Sequence, residues 1–243
     1  MKLPNSTLVA ATSLANRRII SDWAKARYRD RVFEKDQPIP TRQGLLYLVN
    51  KGVVRMIGSN KMLSLSHYKG SSPPQAQFAL LPKVSDLQSE TDENIDETFL
   101  GFVSTGQPFE IISDANYDIQ AYAHVEDTEV IWLYWQDLDN WLDIRQQVYE
   151  TFRYKHQRKL RWLSTLGQRK TMDRLRGFLT LLIEEHGQPC QEGRYLPYSL
   201  THAQIGSSIG STRVTVTRLM GELRRQGKIT VLADSSLCMP SNQ

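Results

Sequence analysis

The chain is poor in cysteine and has no long apolar run. Its 243 residues include two cysteines, Cys190 and Cys238, far apart in the sequence and with no CxxC or CxxH spacing beside either. They suggest neither a disulfide framework nor a closed zinc site, and they fit a reducing, cytosolic setting. No stretch approaches the roughly 20 apolar residues that a membrane span needs. Pro4, Asn5, Ser6 and Thr7 interrupt any apolar run at the amino terminus, which argues against a secretory signal. Catalytic signatures are also missing: there is no GxSxG, no P-loop, no HExxH and no GxGxxG after a strand. The acidic residues Asp86, Glu90, Asp92, Glu93, Asp96 and Glu97 read more simply as a solvated loop than as a paired-carboxylate site. Neither catalysis nor a cofactor is expected.

What is present is an unevenly divided charge. Residues 1–139 carry 14 Lys+Arg against 18 Asp+Glu, and residues 140–243 carry 16 against 8, which together make the net charge of +4. A basic half joined to a mildly acidic one points to a polyanion contacted by one end only, and nucleic acid is the first candidate. The length permits one large domain or two smaller ones, and the charge division favours two.

Residues 8–27 read as a helix on Leu8, Leu14, Ile19, Ile20 and Trp23. Leu45 to Val49 and Val53 to Ile57, separated by Asn50-Lys51-Gly52, read as a hairpin. Residues 58–98 hold Gly70-Ser71-Ser72-Pro73-Pro74 and the acidic run, and are expected to form a long loop. Strand-like runs return at 99–103, 109–112, 119–124 and 129–135, a pattern of short strands that suggests a barrel or sandwich.

After Asp137 the pattern becomes helical. Tyr149, Phe152, His156, Lys159, Leu163 and Leu166 follow a 3-4-3-4-3 spacing, either the seam of a dimeric coiled coil or a helix packed on its own barrel. Arg153, Lys155, Arg158, Lys159 and Arg161 crowd the same helix, as an outward solvated face or as an anion site at a dimer axis. A turn near Gly167 precedes a helix over 171–185.

Residues 199–229 read SLTHAQIGSSIGSTRVTVTRLMGELRRQGKI and parse as two helices joined by a tight turn. Thr201 with Gln204 forms a capping box, Gly210 breaks the first helix, and Ser211 or Thr212 can cap the second. The second helix turns Val216, Leu219, Met220 and Leu223 inward and presents Thr212, Arg213, Val214, Thr217 and Arg218 outward. Such a helix has a physical reason to enter a major groove, where arginine bonds guanine O6 and N7 and a Val or Thr methyl touches the thymine methyl. Arg224, Arg225 and Lys228 follow, and 229–239 look like a two-stranded wing.

At these residues the chain resembles the cyclic-AMP receptor / fumarate-nitrate regulator (CRP/FNR) family, and within it the nitrogen-regulator branch. The run Gly210-Ser211-Thr212-Arg213-Val214-Thr215-Val216-Thr217-Arg218-Leu219 carries most of the resemblance. The order of parts agrees: the LLYLVNKGVVRMI segment, Glu129-Val130-Ile131-Trp132-Leu133, the long helix, then the helix-turn-helix. The resemblance implies an α+β chain with a cyclic-nucleotide-binding-like β-roll (jelly roll), a dimerisation helix and a winged helix-turn-helix. Divided accordingly, residues 1–30 would be a helical arm, 31–139 the sensor with its loop at about 58–98, 140–167 the dimer helix and 168–243 the DNA-binding domain. It also implies a cytoplasmic homodimeric transcription factor on double-stranded DNA, with RNA polymerase as a further partner. By that resemblance Arg213 and Arg218 read bases, with Val214 and Thr217 beside them, and Thr201, His202, Thr212 and Thr215 contact phosphates. The dimer helix would pair through Tyr149, Phe152, His156, Leu163 and Leu166.

The sensor departs from the family. Anchored on Glu129-Val130, the arginine that grips the anionic effector falls on Asp118 and the following serine on Ile119. An aspartate repels an anion by about 1 kcal/mol at 4 Å in water, and by more if partly buried. The pocket is therefore expected to be degenerate, binding neither cyclic AMP nor 2-oxoglutarate in the usual way. The five histidines His67, His124, His156, His186 and His202 are dispersed and read as surface or packed side chains rather than metal ligands. The competing reading of the carboxyl-terminal module is a winged helix that binds a protein partner.

Overall fold

The computed structural model describes residues 14–60, 97–112, 114, 116–232 and 236–240. Helix α1 (Leu14–Lys25) buries Ile20 and Ala24, so the described part of the expected 8–27 helix is its second half. Among the described residues eight strands follow: β1 (Asp30–Phe33), β2 (Pro38–Ile39), β3 (Leu45–Lys51), β4 (Val53–Asn60), β5 (Glu97–Ser104), β6 (Pro108–Phe109), β7 (Tyr117–Ala123) and β8 (Thr128–Tyr134). They form two antiparallel four-stranded sheets, ordered β1-β8-β3-β6 and β2-β7-β4-β5. Phe33, Tyr47, Val49, Val54, Val103, Phe109, Ala121, Ala123 and Val130 fill one core between them.

Two expectations are corrected here. Leu45–Val49 and Val53–Ile57 are not a hairpin, because β3 pairs with β8 and β6 whereas β4 pairs with β5 and β7. The turn at Gly52 is real, but it is a corner that carries the chain from one sheet to the other. Gly52 has φ +85°, and a Cβ there would stand 2.9 Å from Thr128 Cα, so the crossing needs the missing side chain. Leu46 to Val49 are buried without alternation, as befits a strand covered on both faces. The ends of the loop expected at 58–98 are strand: β4 runs to Asn60 and β5 begins at Glu97, paired through Ser59↔Glu97 and Gly58↔Thr98. Residues 61–96, which hold the Gly70–Pro74 stretch and most of the acidic run, lie outside the described residues.

A 3-10 turn (Trp135–Asn140) leads into α2 (Leu142–Leu166), followed by α3 (Thr171–His186), β9 (Gln188–Cys190), β10 (Gly193–Leu196), α4 (His202–Ile209), α5 (Arg213–Arg225), β11 (Thr230–Val231) and β12 (Leu237–Pro240). The expected two-stranded wing belongs to a four-stranded sheet, ordered β11-β12-β10-β9. β9 and β10 are too short to announce themselves by periodicity, and Pro189 argued against a strand.

Of the expected seam of α2, Tyr149, His156, Lys159 and Leu163 are exposed, and Phe152 and Leu166 are not. Leu142 (64% exposed), Tyr149 (48%), Leu160 (47%) and Leu163 (64%) face outward, with His156 exposed in the same row. Phe152 and Leu166 instead turn toward their own chain, Phe152 beside the α1–β8 core and Leu166 against the carboxyl-terminal core. The apolar residues of α2 serve two surfaces, so one heptad cannot describe them all.

The carboxyl-terminal helices do not form a separate globule. One continuous core joins Val53, Ile57, Phe99 and Phe102 of the sheets to Leu175, Phe178, Leu179 and Leu182 of α3, Ile205 and Ile209 of α4, and Val216, Leu219, Met220 and Leu223 of α5.

Candidate nucleic-acid interface

Each part of the α4–α5 unit has a local cause. Thr201 Oγ1 accepts from the Gln204 N–H (3.1 Å) while the Thr201 N–H donates to Gln204 Oε1 (3.0 Å), the reciprocal capping box that starts α4. Gly210 ends the helix in the left-handed region, φ 62°. The turn then folds back so closely that a Cβ on Gly206 would lie 2.8 Å from the Ser211 carbonyl oxygen. Arg174 of α3 braces the same turn: its Nε donates to the Ile209 carbonyl (2.9 Å) and its Nη1 to the Gln168 carbonyl (3.1 Å). Thr212 caps α5, its Oγ1 accepting from the Thr215 N–H at 3.2 Å.

Helix α5 is sharply two-faced. Val216, Leu219, Met220 and Leu223 are buried, whereas Thr212, Arg213, Thr217 and Arg218 are exposed and Val214 is 78% exposed. Packing cannot explain a valine in that position. Thr217 Oγ1 donates to the Arg213 carbonyl (2.9 Å) and lies 2.8 Å from His202 Nδ1, tying the outer face of α5 to the start of α4. His202 is held below its ordinary pKa, first by partial burial and then by the charges of Arg224 and Arg213. Thr201 is exposed and Thr215 half-buried. Arg224, Arg225 and Lys228 extend the exposed positive charge past the helix end.

A second feature lies between the sheets and the helices. A cavity of 340 Å³ is bounded by Phe102 and Phe109 of the strands, Lys155 and Trp162 of α2, and Glu185 of α3. Lys155 Nζ donates to the Pro108 carbonyl at 3.1 Å, and burial pushes its pKa down to about 8. Arg158, 9% exposed, bonds Glu184 at 2.7 Å and donates to the Leu181 carbonyl. Ile119 lines this cavity but Asp118 does not. Alternation along β7 places Ile119, Ala121 and Ala123 toward the core and Asp118 on the other face, where it accepts from Gln120 Nε2 at 2.7 Å. The two residues expected to share one pocket are thus separated by the strand's own geometry.

The histidines are less dispersed than their numbering suggests. His124 and His186 both pack against Phe102 and Tyr198, with ring centroids 4.7–6.0 Å apart. His186 Nδ1 lies 2.9 Å from Ser104 Oγ, and His124 Nε2 lies 3.0 Å from the Ser199 carbonyl. Among the described residues no group of three His, Cys, Asp or Glu side chains is placed to hold a metal.

Sequence reasoning missed Arg174 and the small residues Gly206, Ser207 and Ser208. The Phe99 N–H donates to Ser207 Oγ (3.3 Å), and Ser208 Oγ lies 3.3 Å from the Phe99 carbonyl, so β5 and α4 touch through polar edges. A run of small residues in the middle of a short amphipathic helix was the available signal, since it marks close backbone approach.

With this geometry in place, relatives can be compared. A family model described as a Crp-like helix-turn-helix domain matches residues 173–237. The global nitrogen regulator of Nostoc sp. (strain PCC 7120) is 44% identical over 69 residues, 28% of this chain and 31% of that protein. The matched stretch thus spans less than a third of the relative. Among solved structures, a cyclic nucleotide-binding domain containing protein from Listeria monocytogenes superimposes with TM-score 0.65 at 11% identity, over 91% of this chain and 96% of its own. A CRP family transcriptional regulator from Thermus thermophilus gives TM-score 0.57 at 19% identity, over 87% of this chain and 92% of its own. Over residues 173–237 the chain matches a Crp-like helix-turn-helix domain, and the solved structures share its fold over the remainder. Its α+β fold is the one expected: sheets like those of a cyclic-nucleotide-binding domain, a long helix, and a helix-turn-helix with a small sheet. Helices α4 and α5 lie within the matched helix-turn-helix, and the 340 Å³ cavity lies where the sheets meet the long helix α2.

Proposed function

We propose that this protein is a sequence-specific DNA-binding regulator of transcription that reads a palindromic site as a homodimer. The observation that carries this reading is the outer face of α5, where Thr212, Arg213, Val214, Thr217 and Arg218 stand exposed on a capped helix whose opposite side is locked in the core. Arg213 and Arg218 suit guanine edges, and the Val214 and Thr217 methyls suit thymine. Thr201, His202, Thr212 and Thr215 lie near the two helix starts, where N–H groups and hydroxyls suit phosphates. In this reading residues 1–30 are an arm, 31–139 the sensor, 140–167 the dimer helix and 168–243 the DNA-binding domain. The exposed apolar row of α2 supports pairing of two copies, and RNA polymerase is the partner such a dimer would engage at a promoter.

The test is selection of bound duplexes from a random pool, followed by titration of the selected site. Arg213→Ala is expected to cost about 1–3 kcal/mol on that site and to relax preference at one base pair. Affinity should fall steeply with salt, with a slope near about −0.9 per phosphate neutralised. Equal loss on random DNA would reassign Arg213 to phosphate, and a salt-independent interaction would favour a protein partner.

For the sensor we infer a degenerate pocket. Support comes from Asp118 in the position of the family's arginine, and from its placement across the strand from the cavity that Ile119 lines. Calorimetry with cyclic AMP and with 2-oxoglutarate should give no binding heat, and micromolar binding of either overturns this part.

A further inference from the structure

Cys190 and Cys238, distant in sequence, meet in the fold: their Sγ atoms lie 3.2 Å apart. Both flank β10, Cys190 opposite Gly193 from β9 and Cys238 opposite Tyr195 from β12. Directly paired residues share a sheet face, and positions two apart on one strand do as well. Cys190, Gly193, Tyr195 and Cys238 therefore belong to one side of the sheet. Gly193 has no side chain to stand between the two sulfurs. Cys238 is fully buried and Cys190 half-buried.

We propose that Cys190 and Cys238 are a redox pair that closes to an intramolecular disulfide, a covalent modification site on the sheet that carries the wing. The sulfurs are about 1.2 Å from bonding distance. Cys190 is the end that solvent reaches, and burial together with the neighbouring Cys190 pushes the Cys238 thiol up to about 11. Cys190 therefore reacts first. With a peroxide as oxidant, the Cys190 thiolate takes one oxygen from hydrogen peroxide, giving a sulfenic acid and hydroxide. The Cys238 thiol then displaces that oxygen as water and forms the S–S bond. In sum two thiols and one peroxide yield one disulfide and two waters. The bond would span β10 and join β9, which continues from α3, to β12, which returns from the wing. The inference stands on the sheet geometry and does not depend on DNA binding.

The experiment exposes the full-length chain to hydrogen peroxide or diamide, blocks free thiols with iodoacetamide, and measures intact and peptide masses. The expected result is a loss of about 2 Da, the two thiol hydrogens, with a cross-linked peptide pair containing Cys190 and Cys238 and reversal by dithiothreitol. Cys190→Ser should abolish the cross-link, and because that residue is only half-buried the variant tests the pairing without emptying the core position at Cys238. Two thiols still alkylated after oxidation, a cross-link between two chains, or a Cys190 that proceeds to sulfinic acid would each overturn the proposal.

Discussion

At Gly206 a hydrogen stands where a methyl group has no room. The Ser211 carbonyl oxygen would lie 2.8 Å from a Cβ, and it belongs to backbone that the α4–α5 turn cannot move without shifting α5. Gly206→Ala should therefore cost about 1–3 kcal/mol in urea unfolding. Gly221, within α5, has nothing within 4 Å of its Cβ position, so Gly221→Ala should stabilise by about 0.5–1 kcal/mol through helix propensity. Equal effects of the two would mean that the turn is not close-packed. The two glycines look alike in the sequence, as does Arg174 among the basic residues of the carboxyl-terminal half. The capping box of α4 and the outward row of α5, by contrast, were legible because they rest on spacings of three and four residues, which local geometry enforces.

Among the elements, α2 is the one that faces two surfaces. Its inward residues Ile144 and Val148 are buried, Phe152 packs beside them, and Trp162 stacks edge-on against Phe178 at 5.1 Å. Its outward row of Leu142, Tyr149, Leu160 and Leu163 is about half or more exposed among the described residues, and a helix face of that length suits a second copy of itself. Leu163→Glu, placed where exposure is already high, should leave the monomer fold intact and shift the chain from dimer to monomer in light scattering at micromolar concentration. An unchanged mass would remove α2 from the dimer contact. Phe152 and Leu166 were read into the outward seam because periodicity records that residues are apolar, not which of two surfaces each one meets.

Across the whole molecule, the sheets and the helix-turn-helix share one core, so the orientation of α5 is tied to β4 and β5. The histidines at that junction make the coupling sensitive to acid. Burial pushes His124 down to about 4, with Arg55 adding to the effect, and pushes His186 down to about 3, aided by Lys155 and Arg158. The Ser199 carbonyl and then Asp36 oppose the shift of His124 without cancelling it. A histidine near about 6.5 in the unfolded chain and lower in the folded one gives stability that is present above that pH and declines as pH falls toward the folded value. Unfolding free energy should therefore drop between about pH 6.5 and 4 with a slope of up to about 1.4 kcal/mol per pH unit for each histidine. Urea titrations at pH 7, 6 and 5 check it, and pH-independent stability over that range would count against a junction held by neutral rings.

The sequence by itself determined the helix-turn-helix, its caps and outward arginines, and the class of the amino-terminal sheets. All of these rest on contacts between near neighbours in the chain or on short runs whose burial pattern repeats. Only the tertiary structure decided that Gly52 turns a corner between sheets, that Asp118 and Ile119 fall on opposite faces of β7, that α4 docks on Phe99, and that Cys190 meets Cys238. Those arrangements join residues tens of positions apart or depend on which face of a strand the core covers. Which distant segments meet is settled by how the apolar surface of the whole chain is buried, a property that no local window contains.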